Sequence, residues 1–309
     1  MAICVSCDST NLQFTGEFLY HGEKFRKLFP GLTILSCKQC GLQQTDHANI
    51  DEQKLTDYYR YDYRNETDFV AMSKYNHRLW SERGRSLARV AAQHIKPVEV
   101  NKIFEIGAGY GYNLIEFQKQ FESAQLFADE LASKLPPQHI TRANIDDGPY
   151  DIVIMSHVLE HLTYPKEFVS RVARNLRPGG LLVVEVPNEG NEQFVCQEKN
   201  GMPFHAPHII YFTEKTLRPF FSENFKELHI KLLGTAGSTM AEEMRQRERK
   251  LNMLKRIPRR LLGLFPPLLR GAERLCELAI ERDMTATLNV SNDTETFDKV
   301  YLRIVLVRE

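Results

Sequence analysis

The central part of the chain alternates continuous apolar runs with stretches whose apolar residues recur at helical spacing. A short apolar run bounded by turn residues indicates a buried strand, and the helical period indicates an amphipathic helix. Regular alternation of the two predicts an α/β fold with a doubly wound parallel sheet. The strands predicted in this part are 102–106, 125–128, 140–145, 150–156 and 181–188.

Two further apolar runs, 227–233 and 299–307, predict neighbouring strands that bring the sheet to seven. The insertion between them is basic over 245–260 and apolar over 261–269. This succession suits a peripheral membrane contact through 245–270, or a patch for diphosphate or a polyanionic glycan. Solvated lid helices and a dimer contact are the simpler interpretations of the same residues.

Three glycines at alternate positions follow the first predicted strand of the sheet. They are Gly107, Gly109 and Gly111, and the acid Glu105 stands just before them. Glycine lets a strand turn sharply into a helix while the backbone approaches a ligand closely, so this stretch predicts a nucleotide-type cofactor loop. Apolar residues at helical spacing resume at Leu114, which places the loop between a strand and a helix.

Acidic residues follow the next two predicted strands. Asp129 and Glu130 end the second strand, where an acid can accept hydrogen bonds from ribose hydroxyls, and Glu130 is the favoured acceptor. Asp146 follows the third strand, close to where the adenine of such a cofactor would lie. A solvated turn acid is the alternative interpretation of Asp146.

The N-terminal segment contains two C-x-x-C pairs, Cys4 with Cys7 and Cys37 with Cys40. Each pair places two thiols on a tight turn, and four thiolates complete the tetrahedral shell of a structural zinc ion. Short apolar runs between the pairs can form the strands of a zinc ribbon, which would be too small to fold without its metal. A redox dithiol and incidental cysteines are the alternatives, and the doubled spacing argues against both.

A connector rich in tyrosine and aspartate follows the cysteines, with its densest part at 57–63. Such residues can contact a polyhydroxylated substrate through ring stacking and hydroxyl bonds, or pack their rings against the next domain. Helical spacing from 72 to 94 then predicts a helix that leads into the main domain.

Several of these motifs together resemble the Rossmann-like S-adenosylmethionine (SAM) methyltransferases. The shared features are the glycine stretch, the strand 150–156 with Leu-Glu-His behind it, and the Leu-Arg-Pro-Gly-Gly turn at 176–180. The resemblance implies that SAM is the methyl donor, with its methionine end held by the glycine loop and its ribose by Glu130. The cofactor residues it implies are Glu105, Gly107, Ala108, Gly109, Gly111, Asp129, Glu130, Asp146, Ser156 and His157.

The histidines after the strand 150–156 also fit a different pattern. His157, Glu160 and His161 match the H-x-x-E-H motif of inverted zinc proteases. That motif requires histidines well inside a long helix, whereas these residues stand at the end of a strand and Pro165 follows soon after. A metalloprotease is therefore a poor interpretation, and His161 is expected to be a structural or capping residue.

The loop 203–213 carries His205 and His208 after the fifth predicted strand. A loop at this place faces the methyl group, and a histidine there can remove the proton of the acceptor. With the cysteines and the tyrosine-rich connector, the loop resembles that of nucleotide-sugar C-methyltransferases and related glycan-biosynthesis enzymes. The resemblance implies His208 as the base and a sugar, nucleotide sugar or glycan intermediate as the acceptor. Residues 205–207 depart from the family's loop, and a capping histidine is the alternative.

Charge and length limit the remaining classes of function. The 309 residues carry 40 basic and 40 acidic side chains, a balance that argues against nucleic acid as the partner. No apolar run is long enough to span a bilayer and the first residues lack a signal-peptide pattern, so a cytoplasmic protein is expected. The pattern does not predict an oligomeric state.

The predicted organisation has four parts. A zinc module with the tyrosine-rich connector occupies 1–70, a SAM-binding core 71–235, a basic helical insertion 236–294 and a last core strand 295–309. The sequence thus predicts a zinc-containing, SAM-dependent methyltransferase. An RNA methyltransferase and a non-catalytic scaffold that keeps the fold are the alternatives.

Overall fold

The computed structural model describes most of the chain outside the predicted insertion. The membrane-contact interpretation of 245–270 and the predicted catalytic residue His205 lie outside the described residues. None of the helices within the described ranges is both long and apolar enough to cross a membrane. The described ranges are 2–18, 22–63, 74–131, 139–190, 207–234 and 299–309.

Contacts along the chain define two compact units. The first contains residues 1–231 and 302–309, and the second contains 232–301. The first unit therefore includes the segment predicted as a zinc module and the predicted SAM-binding core up to residue 231. Of the second unit, the structure describes only strand residues, 232–234 and 299–301.

The described elements include eleven strands and six α-helices, besides short 3₁₀ and π-helical segments. The strands are β1 (Leu12–Glu17), β2 (Thr33–Cys37), β3 (Gln43–Thr45), β4 (Lys102–Ile106), β5 (Gln125–Asp129), β6 (Ile140–Arg142), β7 (Tyr150–Ser156), β8 (Leu176–Pro187), β9 (Ile210–Tyr211), β10 (Phe225–Gly234) and β11 (Lys299–Arg308). The helices are α1 (Glu23–Leu28), α2 (Glu52–Asp57), α3 (Lys74–Ala92), α4 (Tyr112–Gln120), α5 (Pro165–Asn175) and α6 (Glu214–Leu217).

Seven strands form the central sheet, in the order β10-β11-β8-β7-β4-β5-β6. Strands β6, β5, β4, β7 and β8 are parallel, with Phe104 of β4 opposite Phe127 on one side and Val153 on the other. The sheet confirms the predicted α/β, doubly wound fold. Its winding reverses between β4 and β7, which creates the crevice where ligands bind in such sheets.

The apolar composition of the strands follows from their burial on both faces. The residues of β7 are buried from Tyr150 through Met155. Helices α3 and α4 join the sheet in one apolar cluster that includes Leu87, Leu114 and Phe117, all fully buried. This packing holds the carboxyl ends of β4, β5 and β7 at one edge of the sheet.

Two strands differ from the prediction by three or more residues at one end. Strand β6 ends at Arg142 because Asn144 caps a 3₁₀ turn, its side chain accepting a hydrogen bond from the backbone N–H of Asp146. Strand β8 begins at Leu176, so that the Arg-Pro-Gly-Gly turn expected before the strand is part of it. Gly179 makes this possible by adopting a φ of 72°.

A second, four-stranded sheet has the order β1-β2-β3-β9. Strand β9 comes from the loop after β8, and it pairs antiparallel with β3 through Gln43 opposite Tyr211 and Gln44 opposite Ile210. The N–H of Thr45 also donates to the carbonyl of Ile209 at 2.8 Å. The N-terminal sheet therefore fixes the loop that carries His208 against the core.

A buried ion cluster connects the last strand to the rest of the core. Nε of Arg303 donates to the Glu185 carboxylate of β8 at 2.9 Å, and Nη1 donates to the Ser86 hydroxyl of α3 at 2.8 Å. Arg83 approaches the other carboxylate oxygen of Glu185 at 3.2 Å. Burial opposes ionisation, but Arg303 and the neighbouring cations lower the pKa of Glu185 far below its usual range.

Candidate active site

A cavity of about 660 Å³ opens where β4, β5 and β7 end, a volume within the range of small-molecule sites. The glycine loop and the acids after β5 form one part of its wall. Residues after β7 and the tyrosine-rich connector form another. Lining residues central to the site are Tyr59, Tyr63, Trp80, Arg83, Glu105, Gly107, Ala108, Gly109, Asn113, Asp129, Glu130, Ser156, His157, His161 and Arg171.

All three glycines of the loop adopt left-handed backbone conformations. Their φ values are 64° at Gly107, 55° at Gly109 and 74° at Gly111, a region that side chains disfavour. A Cβ atom on Gly107 would also lie 2.8 Å from Cγ2 of Val158. Gly107 and Ala108 line the cavity, whereas Gly111 lies outside its lining and is the N-cap of α4.

Two buried glutamates stand beside the loop. An oxygen of Glu130 accepts a hydrogen bond from the N–H of Gly109 at 2.6 Å. Glu105 accepts one from the Asn113 amide at 2.6 Å, but its Oε2 is buried with no hydrogen-bond partner among the described residues. Burial, reinforced by the charge of Glu130, raises the pKa of Glu105 to about 8. The site therefore offers an incompletely satisfied carboxyl group that suits a cationic ligand group.

The two aspartates predicted for the cofactor site occupy different places. Asp129 lines the cavity, and burial raises its pKa. Asp146 lies outside the cavity lining and is exposed, with its carboxylate 2.9 Å from Nε of Arg171 and 3.0 Å from the amide of Asn175. Its described contacts are those of a surface acid, while its partner Arg171 lines the cavity.

Ser156 and His157, at the end of β7, both line the cavity. His157 adopts a φ of 56°, and its ring lies between two acids, with Nδ1 3.2 Å from Glu160 and Nε2 3.6 Å from Glu185. Burial and Arg83 oppose a charged ring, but the two carboxylates outweigh them and raise the pKa of His157.

Several lining residues were absent from the predicted site. The hydroxyl of Tyr59 lies 2.7 Å from Nδ1 of His161, and the two rings meet edge to face. Tyr63 also packs against His161, while Trp80 stacks on Tyr110. Burial, together with nearby His208, lowers the pKa of His161 to about 4, so that its ring is neutral at pH 7. The tyrosine-rich composition was the sequence signal for Tyr59 and Tyr63. The Leu-Glu-His triplet marked His161, which was predicted to be a structural or capping residue.

His208 lies behind His161 and outside the cavity lining, with the two ring centroids 4.9 Å apart. It is buried, and its Nδ1 donates to the Glu189 carboxylate at 2.7 Å. Burial favours the neutral ring, but Glu189 raises the pKa of His208. The role of His208 as a base stays a prediction.

The four N-terminal cysteines converge although they come from two turns far apart in sequence. All four sulfurs lie within 4.8 Å of one another, and the Cys4–Cys40 and Cys7–Cys37 pairs are 3.6 and 3.5 Å apart. A tetrahedron with zinc–sulfur bonds of about 2.3 Å has edges of about 3.8 Å. The cluster is therefore compatible with one zinc ion and four thiolate ligands.

Comparison with known proteins supplies the class of the domain. Residues 71–224 match the family model described as a methyltransferase domain. This part of the chain is a methyltransferase domain. The glycine loop and Glu130 lie within the matched part. The cavity is lined by residues of the matched part and of the segment 52–63 that precedes it.

The chain is similar to a curated protein at low identity. It is 25% identical over 115 residues to the ubiquinone biosynthesis O-methyltransferase of Maricaulis maris (strain MCS10), covering 32% of this chain and 45% of that protein. The matched part thus spans less than half of that relative.

Solved structures with a similar chain trace include two methyltransferases. Coclaurine N-methyltransferase bound to N-methylheliamine and S-adenosylhomocysteine (SAH) has a TM-score of 0.45 at 11% identity, over 82% of this chain and 86% of that one. Magnesium protoporphyrin IX methyltransferase of Synechocystis PCC 6803 has a TM-score of 0.43 at 13% identity, over 59% and 92%.

Proposed function

We propose that the methyltransferase uses SAM to methylate a sugar, nucleotide sugar or glycan intermediate. The observation that carries the proposal is the composition of the cavity, in which the glycine loop and a tyrosine-lined wall face one common space. One part of that space has groups suited to SAM, and the other has groups suited to a polyhydroxylated acceptor.

The residues of the loop fit the cofactor. Oε2 of Glu105, which has no hydrogen-bond partner in the described part of the chain, suits the ammonium of the methionine end. The positive φ of Gly107 and Gly109 allows close backbone approach, and Glu130 suits the ribose hydroxyls. SAM supplies an electrophilic methyl group when bound. The protein's own task is to hold donor and acceptor in line and to exclude competing water.

The acceptor proposal rests on the connector. Tyr59, Tyr63 and His161 line the cavity, and the rings of both tyrosines pack against each other and against the neutral imidazole. Aromatic faces with adjacent hydrogen-bonding groups suit a sugar ring, which has apolar C–H faces and a polar hydroxyl rim.

The cysteine cluster is proposed to hold a structural zinc ion. Four thiolates fill a tetrahedral shell and leave no position for substrate. By fixing the turns at the ends of the N-terminal sheet, the ion would support β3, and through β3 the pairing with β9.

A screen with methyl-labelled SAM tests the acceptor class. The full-length enzyme is incubated with nucleotide sugars, lipid-linked glycans, RNA and simple phenols, and transferred label is counted. The proposal expects label in a sugar or glycan. Label confined to RNA or to phenols would contradict the acceptor class, and no label transfer to any acceptor from a protein that binds SAM would contradict catalysis.

The wall of tyrosines is tested by Tyr59→Phe, with Tyr61→Phe as the matched control. Removing the Tyr59 hydroxyl leaves the ring but breaks its contact with His161, so we expect kcat/KM for the sugar acceptor to fall roughly 2- to 10-fold. Tyr61 is exposed and outside the cavity lining, and its variant should retain wild-type kcat/KM. Equal values for the two variants would remove Tyr59 from the acceptor site.

A further inference from the structure

A second group of metal-ligand side chains, apart from the cysteines, includes His161 of the cavity wall and two residues outside the cavity lining. It consists of Glu160, His161 and His208, whose ligand atoms all lie within 4.8 Å of one another. The proposed function uses none of the three as a ligand. We infer that these residues bind a divalent cation of the first transition series.

The chemistry of the donor set matches such an ion. Two imidazoles and one carboxylate are the set that binds zinc and its neighbours, and they leave further coordination positions open. The backbone N–H of Ile209 donates to the carbonyl of Glu160 at 2.9 Å, which holds the two ligand-bearing segments side by side. Pairing of β9 with β3 fixes the same segment from the other side.

Glu160 gives the strongest indication of a missing partner. Its side chain is fully buried, and neither carboxylate oxygen has a hydrogen-bond donor of acceptable geometry among the described residues. Oε1 of Glu160 lies 3.2 Å from Nδ1 of His157 and 4.0 Å from Nε2 of His208. Both are ion-pair distances, and neither contact is a well-formed hydrogen bond. A buried carboxylate is normally satisfied by donors or by a metal ion.

The two imidazoles are oriented as metal ligands commonly are. Nδ1 of His208 donates to the Glu189 carboxylate at 2.7 Å, and Nδ1 of His161 lies 2.7 Å from the Tyr59 hydroxyl. Each contact engages Nδ1, and we assign the other ring nitrogen, Nε2, to the cluster. Carboxylate and hydroxyl groups behind ligating histidines serve this purpose in metal sites.

The position of the cluster indicates a role in the proposed reaction. This role rests on the proposed function, whereas the binding of the cation does not. His161 lines the cavity, so a bound cation with open positions could take an acceptor hydroxyl as a ligand and lower the pKa of that hydroxyl. The hydroxyl proton would pass to water. The oxygen would then bond to the methyl carbon while the C–S bond breaks, its electron pair remaining on a neutral sulfur.

The inference gives His208 a different role from the one predicted from sequence. An Nε2 atom that binds a cation cannot also accept a proton. His208 is thus a ligand, and Glu189 is a positioning residue that acts through it.

Cobalt binding tests the site without requiring SAM. Full-length protein with zinc bound at its cysteines is titrated with Co²⁺, and bound metal is measured by equilibrium dialysis with elemental analysis. We expect one Co²⁺ per chain beyond the zinc, with the weak visible absorption of nitrogen and oxygen ligands. Binding that shows only intense thiolate-to-cobalt bands, or no Co²⁺ bound beyond the zinc, would overturn the inference.

Variants assign the cobalt to the cluster. Glu160→Gln should abolish the additional binding, and Glu189→Gln should weaken it about 10- to 100-fold because the ligating ring loses its partner. His94→Gln changes a half-buried histidine that contacts the ring of His229 and is not part of the cluster, and this variant should bind Co²⁺ like wild type. If Glu160→Gln does not fold, Glu189→Gln decides, and unchanged Co²⁺ affinity in the folded variant would overturn the site.

SAH binding to the same samples separates this inference from the proposed function. Intact SAH binding without the additional Co²⁺ would overturn the cation site and leave the methyltransferase proposal standing. Co²⁺ binding without SAH binding would contradict the proposed function and leave the cation site standing.

Discussion

At the scale of single residues, the site depends on side chains whose charge is set by burial. Glu105 is the clearest case, because its carboxyl group is enclosed near Glu130 and keeps one oxygen without a partner among the described residues. Its pKa of about 8 means that it is protonated in the free protein at pH 7. An ordinary glutamate, with a pKa near 4.3, would be ionised there.

We therefore expect SAH binding to release a proton from Glu105. The ligand's ammonium favours the carboxylate, so affinity for SAH should rise with pH towards 8 and then level off. In the free protein, the raised pKa of Glu105 lowers the free energy of unfolding as the pH rises from about 4.3 to 8. The reason is that the unfolded chain loses this proton at a lower pH than the folded chain does. Calorimetric titrations in buffers of different ionisation enthalpy measure the released proton.

The isosteric variant Glu105→Gln is the control for this prediction. It should bind SAH with a weaker pH dependence and without the proton release, because the amide does not titrate. Equal proton release by wild type and Glu105→Gln would assign the effect to another group.

At the scale of elements, the N-terminal sheet and the core depend on each other through β9. A strand of two residues, Ile210 and Tyr211, joins β3 of the N-terminal sheet, and the segment just before it carries His208. The proposed zinc ion would thus influence the active site although its cysteines lie outside the cavity lining. Loss of zinc should affect the loop of His208 as well as the fold of the N-terminal sheet.

Cys37→Ser tests the zinc proposal. Elemental analysis should show about one zinc fewer per chain than in wild type, because three thiolates leave the tetrahedral shell open. Limited proteolysis should then cut within residues 2–45, since small zinc modules are unfolded without their metal.

Ser6→Ala is the matched control for the cysteine variant. Ser6 lies between Cys4 and Cys7, and its buried hydroxyl has no partner among the described residues. Its removal should leave the zinc content and the protease resistance unchanged. A Cys37→Ser protein that keeps its zinc would contradict the module.

At the scale of the whole molecule, a cluster of charged residues that lie far apart in sequence connects the last strand to the core. Arg303 and Glu185 are almost fully buried, and Arg303 also contacts α3. We expect Arg303→Gln to lower the free energy of unfolding by about 3–5 kcal/mol, because it leaves the buried Glu185 charge poorly compensated. Urea denaturation provides the measurement.

The exposed pair of Arg218 with Glu227 is a matched control with the same residue types. Nε of Arg218 lies 2.8 Å from the carboxylate, but both side chains are substantially exposed. Arg218→Gln should therefore cost less than about 1 kcal/mol. Similar losses for the two arginine variants would contradict the importance of the buried cluster.

Local pattern predicted much of this fold and part of the site. The alternation of apolar runs gave the seven-stranded sheet, and the glycine spacing located the loop because both signals are contiguous in sequence. The pairing of β3 with β9 and the contact between Tyr59 and His161 were not predicted, since each joins segments far apart along the chain. Burial likewise decided which acids titrate abnormally, and spacing alone carries no information about it.

The most direct test of the central claim, that the cavity at the glycine loop is the SAM site, is equilibrium binding of SAH measured by calorimetry. Wild type should bind one SAH per chain, and Gly107→Ala should bind it at least about tenfold more weakly, because its Cβ would meet Val158 at a φ of 64°. Gly31→Ala is the control, with a φ of 70° and no described atom within 4 Å of the new Cβ, and it should bind SAH like wild type. No saturable binding by wild type, or equal affinity of the two alanine variants, would contradict the account.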